Sequence, residues 1–409
     1  MSMHDNARII IRDALADVQP DAAVIRALQG HGFPGRIIPV AVGKAAWQMA
    51  AAAKTALGDR LSHGVVITKY DHSRGPLDNI DIFEAGHPVP DTNTYRATKA
   101  ALELVEGLSE TDTVLFLLSG GGSALFEYPL IPEGEMADIT GQLLAKGANI
   151  VEINTIRKRL SAVKGGKFAL RSAPARVFSV ILSDIVGDPI DMIASGPAAP
   201  DSSTCAMAQE LAASYELRLS DKARELLGKE TAKELPNVEN HITGSVRELC
   251  AAAARSCERL GYRPVLLSTE VTGEARDEGV TFADKALEHL GKGEKLALIQ
   301  GGETVVHLTG SGKGGRNQEF ALAAAPAIAG KEGILVFSLG SDGTDGPTDA
   351  AGGLVDGSTE EQLRAKGLSV AAVLADNDSY HALKTIDALI MTGPTGTNVN
   401  DVAVALIEG

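Results

Sequence analysis

The sequence predicts an α/β protein built from two parallel-sheet halves. Three observations carry this. Short apolar, β-forming runs alternate with helical periods along all 409 residues. Most of those runs stop at a glycine-rich loop. Aromatics make up only 4% of the chain while glycine reaches 44 residues, a balance that suits an Ala/Gly/Val-rich enzyme with many strand-to-helix turns. A chain of this length supports two or three domains, each with its own core.

The centre of the reading is residues 113–125, TVLFLLSGGGSAL. Residues 113–118 read as a buried strand. The strand runs into Ser119-Gly120-Gly121-Gly122-Ser123. Three glycines let the backbone reach φ > 0 and let successive N–H groups converge. Such a nest at the carboxyl end of a parallel strand suits an anion, above all a phosphate. A plain tight turn needs only one glycine, so the run of three favours the anion site.

Net charge is −15 and no basic block occurs. That argues against a nucleic-acid groove and against an anionic membrane surface. No apolar run approaches a membrane span, and Ile9-Ile10-Ile11 is too short for a secretory leader. Cys205, Cys250 and Cys257 form no CxxC pair. They read as reduced core thiols of a cytoplasmic protein, with Cys250 and Cys257 on one buried helix face.

In chain order, residues 7–28 have the spacing of one amphipathic helix. Residues 36–42 form a strand that delivers Gly43-Lys44, and a helix follows to residue 57. Lys44 stands at a helix start, where the macrodipole does not favour a cation, so an anionic ligand and a solvated surface position suit it equally. Strands are expected at 64–68 and 80–85. The second ends in a rigid loop, Gly86-His87-Pro88-Val89-Pro90-Asp91, where Asp91 or Thr92 caps the next helix. His87 there suits a ligand or a structural hydrogen bond equally.

A helix over 133–146 is followed by NTIRKRLSAVKGGK at 154–167. Its cations suit an anionic ligand or an acidic neighbour, against the default of a solvated helix face. A strand at 175–182 leads to Asp184 and Asp188, two carboxylates on one loop. They suit Mg2+ or the capping of backbone N–H groups. Ser195-Gly196-Pro197 makes the next turn, and Pro236 marks a boundary near 236–242.

The second half repeats the pattern, with helices at 245–260 and 274–290 and strands at 264–268 and 295–300. The latter strand ends in Gly301-Gly302-Glu303-Thr304. A glycine-rich loop at 309–319 opens an alanine-rich helix, and a strand at 333–339 ends in Gly340-Ser341-Asp342-Gly343-Thr344-Asp345-Gly346. Asp376-Asn377-Asp378 precedes a helix, and a strand covers 388–391. Thr395-Gly396-Thr397-Asn398 precedes a final helix. Both halves are thus expected to be Rossmann-like sandwiches.

Gly310, Gly312 and Gly315 fit G-x-G-x-x-G, but the strand before them is short. The acidic residue expected about 20 positions on comes late, at Asp342. With Lys313 and Arg316 in the same loop, a nucleoside triphosphate fits better than a dinucleotide. No P-loop, nucleophile elbow, HExxH or zinc spacing occurs. What remains is glycine-rich anion loops, aspartates at strand ends, and isolated Lys and Arg. Phosphoryl transfer needs little else.

With these loops assembled, the chain resembles the glycerate 2-kinases of the two-domain class that ends in a MOFRL-type domain. The matching stretches are VGKAA at 42–46, AGHPVPD at 85–91, SGGGSAL at 119–125 and NTIRKRLSAVKGGK at 154–167. They continue with SDIVGDPIDMIASGP at 183–197, GGETVV at 301–306, GGRNQEFAL at 314–322, SLGSDGTDGPTDAAGG at 338–353 and TGPTGTNVND at 392–401. They run in order over nearly the whole chain. The resemblance implies ATP- and Mg2+-dependent phosphorylation of D-glycerate at the 2-hydroxyl, giving 2-phosphoglycerate. It implies two Rossmann-like domains, residues 1–237 and 238–409, with the site in the cleft between them. The last stretch, about 20 residues, is left free to pack back on the first domain. D-glycerate and ATP are the implied partners, a homodimer is an option, and the location is cytoplasmic.

The resemblance sets Lys44 and Arg316 against substrate and the transferring phosphate, and arginine can hold a carboxylate bidentately. Two loops are candidate phosphate cradles: Ser119, Gly120, Gly121, Gly122 and Ser123, and Thr395, Gly396, Thr397 and Asn398. Ser195, Gly196, Gly315 and Asn317 complete the binding set. Asp184 and Asp342 are expected as base or metal-orienting groups, and Asp184, Asp188 and Glu303 as Mg2+ ligands. The competing reading is an NAD(P)H-dependent hydroxypyruvate reductase, a name that members of this family have carried, with the cofactor on residues 310–315. A third is a non-catalytic sugar-phosphate or nucleotide sensor.

Overall fold

The computed structural model describes residues 2–409. The chain divides into two compact bodies. The first holds residues 23–182 and 188–243. The second holds the residues up to 22, together with 183–187 and 244–409.

The first body is built on β1 (Ile37–Val42), β2 (Gly64–Lys69), β3 (Ile80–Ala85), β4 (Thr113–Leu118), β5 (Arg176–Leu182) and β6 (Val238–Gly244). They lie in the order β3-β2-β1-β4-β5-β6. The first five pair in parallel. β6 runs the same way: Asn237 O accepts from Val177 N at one end, and Gly244 O accepts from Ser183 N at the other, each at 2.7 Å. Every residue of β1 and β4 is buried, as continuous apolar runs require in a sheet covered on both faces. Helices Pro20–Leu28 and Ala46–Leu57 cover one face, where Val24, Met49 and Ala53 meet Ala41, Leu117 and Val180. Helices Glu133–Ala145, Ile150–Leu160 and Asp221–Leu227 build a separate core around Ile139, Ile156 and Leu227. The order of connection reverses between β1 and β4. Their following loops therefore meet at a switch point, the usual ligand crevice of an open α/β sheet.

The second body contains β7 (Arg263–Val271), β8 (Lys295–Gly302), β9 (Ile334–Gly340), β10 (Gly352–Asp356), β11 (Leu389–Ile390) and β12 (Asp401–Glu408), ordered β11-β10-β9-β12-β8-β7. The α/β class stands, but this sheet is not purely parallel. β12 sits inside the sheet and runs antiparallel to both β8 and β9. β7, β8, β9 and β11 share one direction, and β10 and β12 run against them. The expected final helix is this strand. DVAVALIE is a short, almost wholly buried run, and burial on both faces removes the alternation that would mark a strand.

Two further expectations change. Residues 7–28 form two helices, Met3–Asp17 and Pro20–Leu28, broken where Pro20 lacks an N–H. The first belongs to the second body, where Ile10, Ala14 and Leu15 pack with Leu249, Ala253 and Cys257. Asn6 Nδ2 also donates to Tyr262 Oη at 3.0 Å. The stretch read as a polar boundary is β6, and the break between bodies falls after Thr243. β12 keeps the last residues in the second body. Cys250 and Cys257 are buried in the same core, and burial pushes both thiols up to about 12. Among the described residues no helix is long and apolar enough to cross a membrane.

Candidate active site

The second body holds an open cavity of about 780 Å³ whose walls include Asp184, Glu303, Thr304, Gly314, Gly315 and Arg316. Arg316 opens the helix Arg316–Ile328. Its Nε donates to Asp401 Oδ2 at 2.6 Å and its Nη2 to Asp401 Oδ1 at 3.1 Å. Its Nη1 lies 3.0 Å from Glu303 Oε1. Burial alone would lower the Arg316 pKa, but Asp401, then Glu303 and Asp345, hold it above the ordinary arginine value. Burial raises the Asp401 carboxyl, and the Arg316 contacts pull it back only in part. Asn400 Nδ2 donates to Asp184 O and to Glu303 Oε2, each at 3.1 Å. A single amide thus ties the loop after β5 to the loop after β8.

Buried Asp345 holds the start of the Arg316 helix. Asn317 N donates to its Oδ1 at 3.1 Å and Gln318 N to its Oδ2 at 2.8 Å. Burial pushes Asp345 up to about 6 against the pull of those two N–H groups. Gly315 has to be glycine, because a Cβ there would lie 2.3 Å from the Asp345 carboxyl carbon. Asn317 Oδ1 accepts from Ser338 Oγ at 2.6 Å. Gly315 lines the cavity, while the Asn317 side chain is buried against Asp345 and Ser338.

Asp342 serves a local turn: its Oδ1 accepts from Thr344 N at 2.9 Å and Thr344 Oγ1 at 3.2 Å. The loop 395–398 is sewn to it. Thr395 N donates to Asp342 O at 3.1 Å, Thr395 Oγ1 to Ser341 O at 2.5 Å, and buried Thr397 Oγ1 to Val18 O at 3.0 Å. Asn398 Oδ1 accepts from Asn400 N at 3.3 Å, and Gly396 takes the left-handed φ of 84°.

The G-x-G-x-x-G loop is filled by its own protein. Asn377 Oδ1 accepts from Thr309 N at 2.7 Å and Gly310 N at 2.9 Å. Asp376 Oδ1 takes Ser311 N and Asp378 Oδ1 takes Lys313 N, both at 2.9 Å, and Gly312 N donates to Asp376 O at 2.8 Å. The glycines permit this close approach: a Cβ on Gly310 would lie 2.3 Å from Asp376 Cα. A phosphate chain, whether of a dinucleotide or of a triphosphate, finds those donors already occupied. The expectation of a nucleotide cradle on this loop is corrected accordingly.

In the first body, the loops after β1 and β4 interlock at the switch point. Lys44 N donates to Gly120 O at 2.9 Å, Ser119 N to Val42 O at 2.9 Å, and Ala45 N to Ser119 Oγ at 3.1 Å. Gly43, at φ 120°, leaves no room for a Cβ, which would meet Ser119 Oγ at 2.3 Å. Ser119 is therefore a clamp between loops. Gly121 takes φ 88°, with the His87 ring and Lys44 Cγ beside it. Burial, then Lys44, lowers the His87 pKa. Lys44 is exposed, and its ammonium has no ion pair among the described residues.

Gly122 begins the short helix Gly122–Leu125 and packs on Ala194, whose Cβ would lie 2.7 Å from a Cβ at Gly122. Ala194, Ser195 and Gly196 follow one another at φ 51°, 61° and 64°. Left-handed conformation at two non-glycine residues costs about 1–3 kcal/mol each, a strain that clusters at functional sites. Ser195 Oγ donates to Asn154 Oδ1 at 3.0 Å and lies 3.4 Å from Ser123 Oγ. Asp188, at φ 53°, starts the loop that leads there.

The cations of residues 154–167 are buried or half-buried on partners within the protein, and the expected acidic neighbour is present for Arg157 and Lys158. Arg157 lies 3.0 Å from Glu127 Oε2 and donates to Ser123 O at 3.0 Å. Lys164 Nζ donates to Ser123 O at 2.9 Å and Phe126 O at 3.2 Å. Lys158 pairs with Asp201 at 2.9 Å, Arg159 donates to Ser203 O at 3.0 Å, and Lys167 donates to Ser161 O at 2.7 Å. Burial first, then nearby charge, sets Lys164 and Lys167 at about 8. Arg157 and Lys164 brace the carbonyl end of the short helix Gly122–Leu125, while Lys158, Arg159 and Lys167 hold Asp201, Ser203 and the end of the helix Ile150–Leu160. Sequence reading missed this role, and it missed Asp401, Asn400 and Asp345. Asp345 lies three positions after Asp342, and Asn400 and Asp401 two and three after Asn398, and that proximity was the available signal.

Residues 6–228 match DUF4147, a domain of unknown function, and residues 296–401 match the MOFRL family. A D-glycerate 2-kinase from Thermotoga maritima is 50% identical, with 97% of each chain covered. A glycerate 2-kinase from Pyrococcus horikoshii is 40% identical over 97% of this chain and 96% of its own. A relative from Agrobacterium vitis, 39% identical over 98% of this chain and 93% of its own, carries the provisional name hydroxypyruvate reductase. A crystal structure of glycerate kinase from Thermotoga maritima superposes with a TM-score of 0.94 at 50% identity, covering 98% of this chain and 99% of that one. The chain belongs to the glycerate 2-kinase family, in which a DUF4147 domain is followed by a MOFRL domain.

Proposed function

We propose that the protein transfers the γ-phosphoryl group of ATP to the 2-hydroxyl of D-glycerate, giving 2-phosphoglycerate and ADP. Full-length similarity to glycerate 2-kinases supports the reaction class. The single structural observation that carries the reading is Arg316, fixed by Asp401 on the wall of a cavity that also offers Asp184 and Glu303. A planar cation with one edge anchored suits a small hydroxy-carboxylate. Lys44, exposed beside the glycine nest and without an ion pair among the described residues, is the second cation and serves the phosphates. The nest supplies backbone donors at 120–123 in the same body, whereas Ser119 N, Ser195 N and Gly196 N already serve Val42 O, Met192 O and Ile193 O.

Asp184 and Glu303 are the favoured Mg2+ ligands. Both bear hard oxygen donors, and Asn400 draws their loops together. When bound there, Mg2+ neutralises charge on the phosphates. The occupied donors of residues 309–313 speak against the reductase reading. An NMR-resolved product assay with ATP, Mg2+ and D-glycerate tests the function. 2-Phosphoglycerate is expected. 3-Phosphoglycerate would overturn the acceptor position. Hydroxypyruvate-dependent NADH oxidation without a phosphorylated product would overturn the kinase reading.

A further inference from the structure

Three side chains of the first body converge with ligand chemistry that phosphoryl transfer does not use. His31 lies between the helix Pro20–Leu28 and β1. Glu239 and His241 are alternate residues of β6 and so share one face of that strand. His241 Nε2 is 2.6 Å from Glu239 Oε1, and His31 Nδ1 is 3.8 Å from the same oxygen. One nitrogen of each imidazole and one carboxylate oxygen lie within 4.8 Å of one another. In a tetrahedral zinc site with bonds of about 2.0–2.1 Å, donor atoms stand about 3.3 Å apart. The observed spacings bracket that value.

The groups around them hold the donors in place. The His241 ring stacks on Phe178 at 4.3 Å, and His31 meets Phe178 edge-on at 4.9 Å. The second oxygen of Glu239 pairs with Arg176, whose guanidinium lies 5.2 Å from the Phe178 ring and 5.8 Å from that of Phe33. Ligating carboxylates are commonly oriented by such a partner on their other oxygen. The side chains of His31, Glu239 and His241 are 32%, 39% and 24% exposed, so an ion has a path in and room for a water.

We propose that His31, Glu239 and His241 form a binding site for a divalent transition-metal ion of the Zn2+ class. Two imidazoles and one carboxylate favour Zn2+, Co2+ or Ni2+ over Mg2+, which prefers oxygen donors. The site is chemically distinct from the oxygen-only pair Asp184 and Glu303. An ion there would tie the segment before β1 to the edge strand β6, and would stabilise the fold by mass action.

The test uses the full chain after chelator treatment. Co2+ is titrated with visible absorption as the readout, and Zn2+ with calorimetry and melting temperature. A single saturable site with the strong absorption of tetrahedral Co2+ is expected, together with a rise in melting temperature on Zn2+ addition. His31→Gln and His241→Ala should each remove both signals, and Arg176→Met should weaken Zn2+ affinity about tenfold. His31→Gln guards against misfolding, since His31 lies outside regular structure, and its circular dichroism should match the parent. No Zn2+ or Co2+ binding by the parent, or binding undiminished in both histidine variants, would overturn the site. Glycerate phosphorylation is measured in parallel and should be unchanged in His31→Gln. Failure of the metal site would leave the kinase reading standing.

Discussion

Arg316 and Asp401 form a two-point ion pair, with Nε to Oδ2 at 2.6 Å and Nη2 to Oδ1 at 3.1 Å. Asp401 is nearly buried while Arg316 is 33% exposed, so the aspartate sets the plane of a cation that still reaches the cavity. Asp401→Asn keeps the shape and removes the charge. It should lower kcat/KM for glycerate about 10²-fold by misplacing the guanidinium. Urea unfolding should register a loss of about 2 kcal/mol. An unchanged kcat/KM would show that this orientation does not matter to turnover.

Arg316→Lys keeps the positive charge and loses the planar fork. The kcat/KM should fall about 10²–10³-fold, because an ammonium cannot satisfy Asp401 at two points and still bind a carboxylate. Steady-state kinetics in glycerate decide this, and a near-normal rate would remove Arg316 from the site.

Lys44 makes no ion pair within the described residues, so its removal should leave the fold intact. Lys44→Ala should cut kcat about 10²–10³-fold with an unchanged melting temperature. A large drop in melting temperature with normal turnover would assign it a structural task instead.

Asp345 has a folded pKa raised from 3.8 to about 6 by burial. The folded state then binds a proton more tightly than the unfolded chain between those values, so this group makes stability fall as pH rises from about 4 to about 6. A shift of this size corresponds to about 3 kcal/mol. Urea unfolding of parent and Asp345→Asn across that window should show the difference shrinking in the variant. Parallel pH profiles would remove Asp345 as the titrating group. Ionised Asp345 is still the form that accepts the Asn317 and Gln318 N–H groups.

Asn377 sits at φ 55° and fills the glycine loop from within. Asn377→Gly keeps the backbone conformation and deletes the side-chain hydrogen bonds. It should cost about 3 kcal/mol in urea unfolding. The parent should not quench or enhance NADH fluorescence, and saturable NADH binding to this loop would contradict the filled-loop geometry.

The strand runs and glycine loops of the first body were legible because a parallel sheet buried on both faces writes itself as continuous apolar segments. The run 113–118 and the loop 119–123 are the clearest case. Lys44, Asp184 and Glu303 were legible as residue types at strand ends, and Arg316 as the first residue of an alanine-rich helix. The glycines of 310–315 were legible too, but their purpose was not. They admit Asp376, Asn377 and Asp378, residues more than sixty positions away in the chain.

The sequence alone carries the α/β class, the family resemblance, the glycine-rich loops after β1 and β4, and the cations that suit phosphate and carboxylate. These depend on local periodicity and on backbone permissions that each residue carries with it. The tertiary arrangement sets that β12 runs against its neighbours, that the helix Met3–Asp17 belongs with the second body, and that Arg157 and Lys164 hold the Ser123 carbonyl beside the glycine nest. It also decided that Asp401 and Asp345 govern Arg316 and its helix. These are partnerships between residues far apart in the chain. An ion pair or a strand direction depends on which distant group arrives, and local pattern carries no record of it.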